Sequence, residues 1–204
     1  MRYVNKTFTA VCLACLICVA ISLVSCSKKD EAFVPAPFVA NAALIGAPVQ
    51  LAEIALELAP PAGWKAADST QLDSFRRMLA GTELAREFFP IFPLIVAFDS
   101  ATGGMMYIAQ IEENQETFAD VVKRYEDFLS PRLKGSAMNR EYYLINDLKI
   151  YYYMLHSAEV VNYKIMGETA PGKRFLIEFI IGGPVFTAVE PAVSASLATL
   201  RAAI

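Results

Sequence analysis

The sequence predicts an α+β domain, an antiparallel β-sheet covered by helices, and three observations predict it. Between Arg140 and Ile181 four apolar runs, "REYYLI", "LKIYYYMLH", "EVVNYKIMG" and "KRFLIEFII", follow one another across short polar connections, which is the pattern of a meander. From Gln115 to Leu129 the apolar residues Phe118, Val121, Val122, Tyr125, Phe128 and Leu129 recur at the spacing of one buried helical face. Helices occur only at intervals, whereas a parallel doubly wound sheet needs one at every crossover.

Taken in chain order, the first element is ambiguous. In "QLAEIALEL" Leu51, Ile54 and Leu58 fit a helix, while Ile54, Leu56 and Leu58 alternate as a strand. The "APPAGW" that follows breaks any helix, so a strand is expected over Ile54 to Leu58. Asp68 or Ser69 caps a helix running over Leu72, Phe75, Met78, Leu79 and Phe88, with Gly81 as its weak point. Pro90 and Pro93 deny "FFPIFPLIVAF" a spanning helix; Leu94 to Phe98 reads as a buried strand, and "DSATGG" turns it into a second, Met105 to Ile111. Ser130-Pro131 ends the middle helix. Asn146-Asp147, Ser157-Ala158 and "ETAPG" connect the meander, and a closing helix over about Ala188 to Ala203 buries Val189, Val193, Leu197, Leu200 and Ile204. The expected order is β-α-β-β-α-β-β-β-β-α.

The chain before this domain carries an address. Met1 to Lys6 is short and cationic, Phe8 to Val24 is almost wholly apolar, and "LVSCSKKD" then switches at once to charge. That is a secretory signal, and Leu23-Val24-Ser25-Cys26 resembles the bacterial lipobox, in which a diacylglyceryl group is attached to the cysteine before signal peptidase II cuts in front of it. An uncleaved anchor or an ordinary signal cut elsewhere are the alternatives; the register of Leu23, Ser25 and Cys26 with the end of the apolar core favours lipidation at Cys26. Two acyl chains hold a protein stably on a bilayer where one does not. Ser27 after the cysteine resembles the pattern for transfer to the outer membrane. The expected organisation is therefore a signal over 1–25, a lipidated Ala/Pro-rich tether over 26–49 and one domain over 50–204. Phe33, Val34, Phe38 and Val39 are more apolar than a plain spacer needs, and both docking on the domain and lying at the membrane surface are open to them.

Removing 25 of 204 residues leaves 179, room for one domain with a proper core. Arg2 and Lys6 leave with the signal, so 16 basic residues face 21 acidic ones, a balance of −5. Such a chain is a poor partner for nucleic acid or for anionic lipid headgroups. Cys12, Cys15 and Cys18 lie in the apolar signal core and are lost with it, so the exported domain has no disulfide and is held by packing alone.

A strand closed by Pro60-Pro61-Ala62-Gly63-Trp64, the middle helix, the four-strand meander and a C-terminal helix in "VSASLATL" together resemble the PsbP-like family, over roughly residues 50 to 204. Ile180-Ile181-Gly182-Gly183-Pro184 matches the strand and proline that often precede that family's last helix. The resemblance implies an α/β/α sandwich and a non-catalytic assembly or binding role.

The chemistry-bearing residues are few. His156 is the only histidine, and Ser157 beside it would face the other way on a strand, so neither a metal site nor a nucleophile pair is expected there. There is no Gly-x-Ser-x-Gly elbow, and "APGKR" lacks the first glycine and the hydroxyl residue of a phosphate loop. Glu112, Glu113, Glu116 and Asp120 sit at a strand-to-helix junction, where the helix dipole favours acids; a loose calcium site is the alternative. Tyr142, Tyr143, Tyr151, Tyr152 and Tyr153 put aromatics on both faces of a hairpin. Core packing accounts for some of them, and an aromatic binding face is the best site available.

These readings lead to a lipid-anchored, non-enzymatic binding or assembly module of the bacterial envelope. It needs no cofactor, and its partners are the membrane, through the N-terminal lipid, and an unidentified envelope protein. The rivals are an envelope hydrolase, which would need buried carboxylates converging on a cleft, and a small-molecule or lipid carrier, which would need an apolar cavity.

Overall fold

A computed structural model describes residues 32–88, 90–112, 116–133, 137–170 and 172–203. The signal over 1–25, Cys26, Glu113, Pro171 and Ile204 lie outside the described residues. No helix among the described residues is long and apolar enough to cross a membrane.

The expected α+β architecture is present. An eight-stranded sheet runs in the order β1-β7-β8-β9-β10-β6-β5-β4, and a three-stranded sheet in the order β11-β3-β2. The large sheet consists of β1 (Val34–Pro35), β4 (Lys65–Ala66), β5 (Ile91–Phe98), β6 (Met105–Ile111), β7 (Ala137–Ile145), β8 (Leu148–His156), β9 (Val160–Glu168) and β10 (Arg174–Gly182). All its pairings are antiparallel except β1 with β7. The small sheet holds β2 (Val49–Leu51), β3 (Leu56–Leu58) and β11 (Arg201–Ala202).

Strand alternation sends side chains to two separate cores. One face of the large sheet, bearing Tyr107, Ala109, Tyr151, Tyr153, Met166 and Leu176, packs on α1 (Ser69–Ala80) and α2 (Phe118–Leu129). The opposite face, bearing Ile108, Ile150, Ile165, Phe175, Ile177 and Phe179, packs on α3 (Phe186–Leu197) and the small sheet. Helices and strands thus cover both sides of one sheet, a sandwich.

Local chemistry explains the boundaries. Asp68 and Gln71 form a reciprocal capping box at the start of α1, and Thr117 and Asp120 form another at α2. The β7–β8 turn is Asn146-Asp147, both at positive φ (45° and 68°), which a two-residue hairpin turn of the mirror type requires. Gly63 at φ 82° lets the chain turn before Trp64, whose ring packs 6.1 Å from Phe179. That is the physical content of the Pro-x-Gly-Trp motif.

Four elements or residues differ from what is expected. The first strand starts at Leu56 rather than Ile54, because Ala52–Ile54 forms a 3-10 turn closed by Ala55 in the left-handed region. The first helix stops at Ala80, and Leu84–Phe88 is a separate π-helical turn. Met78, expected on that helix's buried face, is 60% exposed. The closing helix ends at Leu197, so that Arg201–Ala202 can pair with Leu56–Glu57.

The largest difference is at the N-terminus. The compact unit begins at Phe33, not at Gln50. Val34 and Pro35 pair in parallel with Tyr143 and Leu144, and the Ala36 amide donates to the Leu144 carbonyl at 3.1 Å. Phe33 meets Tyr142 and Tyr151 on the helical face, at ring-centroid distances of 5.7 and 5.4 Å. Phe38 meets Tyr143 and Tyr152 on the opposite face, at 5.3 and 5.8 Å. The segment expected as a tether is a clip that grips the sheet edge from both sides.

Candidate functional site

The β7–β8 hairpin carries the five tyrosines, and its register decides where each goes. Tyr142 is opposite Tyr151 and Tyr143 opposite Ile150, so Tyr142, Tyr151 and Tyr153 share the helical face while Tyr143 and Tyr152 share the other. Tyr143, Tyr151 and Tyr153 are buried; Tyr142 and Tyr152 are half-buried. Tyr153 donates its hydroxyl to Glu126 of α2 at 2.9 Å, and Arg140 bonds the other oxygen of that carboxylate at 2.8 Å. Burial, with Glu126 nearby, pushes the Tyr153 phenol well above its usual range; burial does the same for Tyr143 and Tyr152. All three phenols are neutral at physiological pH. The aromatic surface expected of the hairpin is thus reduced to the edges of two rings, because Phe33, Phe38 and α2 cover the rest.

At one corner of this hairpin the cover is incomplete. A cleft of about 380 Å³ opens there, walled by Phe33, Phe118 and Tyr151, with Asp147, Lys149 and Glu168 at its rim. Its residues come from four distant parts of the chain: the clip, the first turn of α2, the hairpin and the end of β9. Phe33 and Phe118 both stand edge-on to Tyr151, at 5.4 Å and 89°, and 5.6 Å and 82°. The Lys149 ammonium lies 5.5 Å above the Phe33 ring. Glu168 is committed to the protein, accepting from the Gly172 amide at 2.9 Å and lying 3.5 Å from Arg174. Asp147 and Lys149 are exposed. The cleft therefore offers flat apolar walls, one ammonium and two carboxylates, of which Glu168 is already held by Arg174, a combination that fits a small zwitterionic or amphipathic ligand.

The other candidates have structural roles. Asp120 caps α2, and Glu116 is paired with Arg124 at 2.8 Å, so two members of the acidic run are already engaged. No group of three or more metal-ligating side chains occurs among the described residues. His156 is exposed at the end of β8 with its ring 6.3 Å from Phe186, while the Ser157 hydroxyl is taken up in its own turn, donating to the Val160 carbonyl at 3.1 Å.

Among the described residues two carboxylates are buried, Glu57 and Glu178, and they do not converge. Glu57 sits on the small sheet between Gln50 and Arg201. Glu178 sits on the helical face of the large sheet, bonded to Tyr107, Asn162 and Lys164. Burial alone would raise the Glu178 carboxyl, but the Lys164 ammonium and the donated hydrogen bonds outweigh it and hold it below the ordinary value. Each acid is neutralised in place, which is the arrangement of a structural ion pair.

Sequence reasoning found Tyr151 but missed Phe33, Phe118, Asp147 and Lys149 as its neighbours. Phe118 reads as one more apolar residue of a helical stripe. Lys149 left a faint signal, as a lone charge in an otherwise apolar strand.

Among solved structures the chain is similar to the solution structure of cyanobacterial PsbP (CyanoP) from Synechocystis sp. PCC 6803, with a TM-score of 0.46 and 13% identity over 78% of this chain and 93% of that one. No protein-family model matches the chain, and no curated protein does.

Proposed function

We propose that this chain is a lipid-anchored protein of the bacterial envelope, acylated at Cys26, that works as a non-enzymatic binding module through the aromatic cleft at the β7–β8 corner. The observation that carries the reading is the clip. Phe33, which forms one wall of the cleft, stands seven residues after Cys26 and is bound into the sheet edge. Anchor and cleft are thus joined by a short leash and not by a long free spacer. The binding role draws support from the cleft's rigid aromatic walls, since tyrosine and phenylalanine contribute contact area with few torsions to freeze. It also accords with the pairing of both buried carboxylates to cations, which leaves them poor acids or bases. The location follows from the lipobox-like register and from Ser27, which favours the periplasmic face of the outer membrane.

The test is acyl labelling in cells. The wild-type chain should incorporate radiolabelled palmitate and lose its first 25 residues, and Cys26→Ser should do neither and accumulate as precursor. A wild-type chain that takes up no label overturns the anchored reading.

A further inference from the structure

The position of the cleft beside the leash, together with its charge pattern, identifies a ligand class. We propose that the cleft takes the zwitterionic headgroup of a phosphatidylethanolamine from the bilayer in which the chain is anchored. The inference rests on the anchored reading and goes further, by assigning a ligand to the cleft and an orientation to the domain.

Reach comes first. Seven Cα steps separate Cys26 from Phe33, and even fully extended they span only about 25 Å. A wall of the cleft is therefore never more than about 25 Å from the anchored cysteine, less than the thickness of the bilayer's own hydrocarbon core. Next comes the surface around it. Val34 and Leu144, 49% and 37% exposed, lie on the same edge of the sheet, so the edge next to the leash exposes aliphatic surface beside the aromatic cleft. Aromatic and aliphatic side chains beside a lysine are the composition that settles at a membrane interface.

Charge then selects the headgroup. The mature chain's balance of −5 opposes accumulation on an anionic surface. Around the cleft, however, Glu168 is tied to Arg174, and the two charges with no ion pair among the described residues are of opposite sign: Lys149 suits a phosphate and Asp147 an ammonium. The Phe33 ring already faces one ammonium, that of Lys149 at 5.5 Å, which shows the wall accepting a cation. A volume of about 380 Å³ suits a headgroup and not a whole lipid. A headgroup with phosphate and ammonium a few bonds apart fits both charges at once, whereas phosphatidylglycerol offers Asp147 only neutral hydroxyls and no cation.

The experiment uses the full chain recovered from membranes and placed in two vesicle preparations, one of equal parts phosphatidylethanolamine and phosphatidylglycerol and one of phosphatidylglycerol alone. Hydrogen exchange is followed in the peptides covering Thr117–Val121 and Ile145–Ile150. On the ethanolamine vesicles both should exchange about tenfold more slowly than on glycerol vesicles. Lys149→Gln and Asp147→Asn, both exposed and tolerant positions, should each reduce that difference to about twofold or less while exchange in β10 stays unchanged. Equal protection on the two vesicles would mean general contact with lipid and overturn the headgroup assignment. Protection that survives both substitutions, or none at all, would overturn the cleft as the site. Palmitate labelling separates the two readings: a labelled chain without selective protection defeats only this inference, and an unlabelled chain with it defeats only the anchor.

Discussion

The two edges of the eight-stranded sheet solve the same problem differently. An edge strand presents unpaired backbone groups to any passing strand, and proteins blunt such edges with proline, charge or cover. At the β7 edge the cover is a distant piece of the chain: β1 pairs across Tyr143 and Leu144, its own Pro35 limits further pairing, and Phe33 and Phe38 lock it from both faces. At the opposite edge the protection is local. The two residues of β4 cover only Ala97 and Phe98 of β5. Beyond them Pro93 breaks the register of β5, and Arg76 of α1 bonds the Pro93 carbonyl at 2.9 Å and lies over the Phe92 ring at 4.4 Å. One edge is tied to the part of the chain that leads to Cys26, and the other leaves Phe92 53% and Phe98 38% exposed. An edge built from distant sequence couples the domain to its N-terminus; an edge built locally leaves the surface free to vary.

The comparison can be tested first from the middle of the sheet, where both edges should suffer together. Glu178→Gln removes the counter-charge of nearly buried Lys164 and one partner of Tyr107, and should cost about 3–5 kcal/mol at pH 7 in urea unfolding. The pH dependence has a definite sign. The folded carboxyl lies below its unfolded value of about 4.3, so its contribution is complete above that pH and is lost as pH falls through the folded value. The gap between wild type and Glu178→Gln should therefore narrow on acidification below about pH 4. A gap that widens there would show that the Lys164 pair is not what stabilises the site.

Next in size is the clip. Phe33→Ala with Phe38→Ala removes two half-buried rings from four tyrosine contacts, and about 2–4 kcal/mol should be lost. Amide exchange should accelerate in β7 and leave β5 as it was. Faster exchange in β5 would mean that the two edges are coupled and the comparison is false.

Smaller again is Arg76→Ala, which should cost about 1 kcal/mol through the lost carbonyl bond and the lost stacking on Phe92. Sedimentation should then show more self-association than in wild type, since the β5 edge is uncovered. The smallest effect is expected from Phe92→Lys, within about 0.5 kcal/mol in thermal or urea unfolding, because the ring is largely in solvent. A loss of several kcal/mol there would show the second edge to be as structural as the first.

Much of this molecule was legible in the chain. The cap at Asp68, the Asn-Asp connection, the alternation that divides Tyr142 from Tyr143 and the helical stripe of α2 are written in residues within a few positions of one another. Local dihedral preference and hydrophobic period suffice for those, because the interactions that decide them span one turn or one strand. The clip, the small sheet closed by Arg201–Ala202, the pairing of Glu178 with Lys164 and the cleft at the corner were decided only in three dimensions. Each brings together segments that nothing local obliges to meet: Phe33 is an apolar residue among prolines until Tyr142 and Tyr151, more than a hundred positions later, supply the rings that hold it. Burial and register across such distances follow from how whole layers pack.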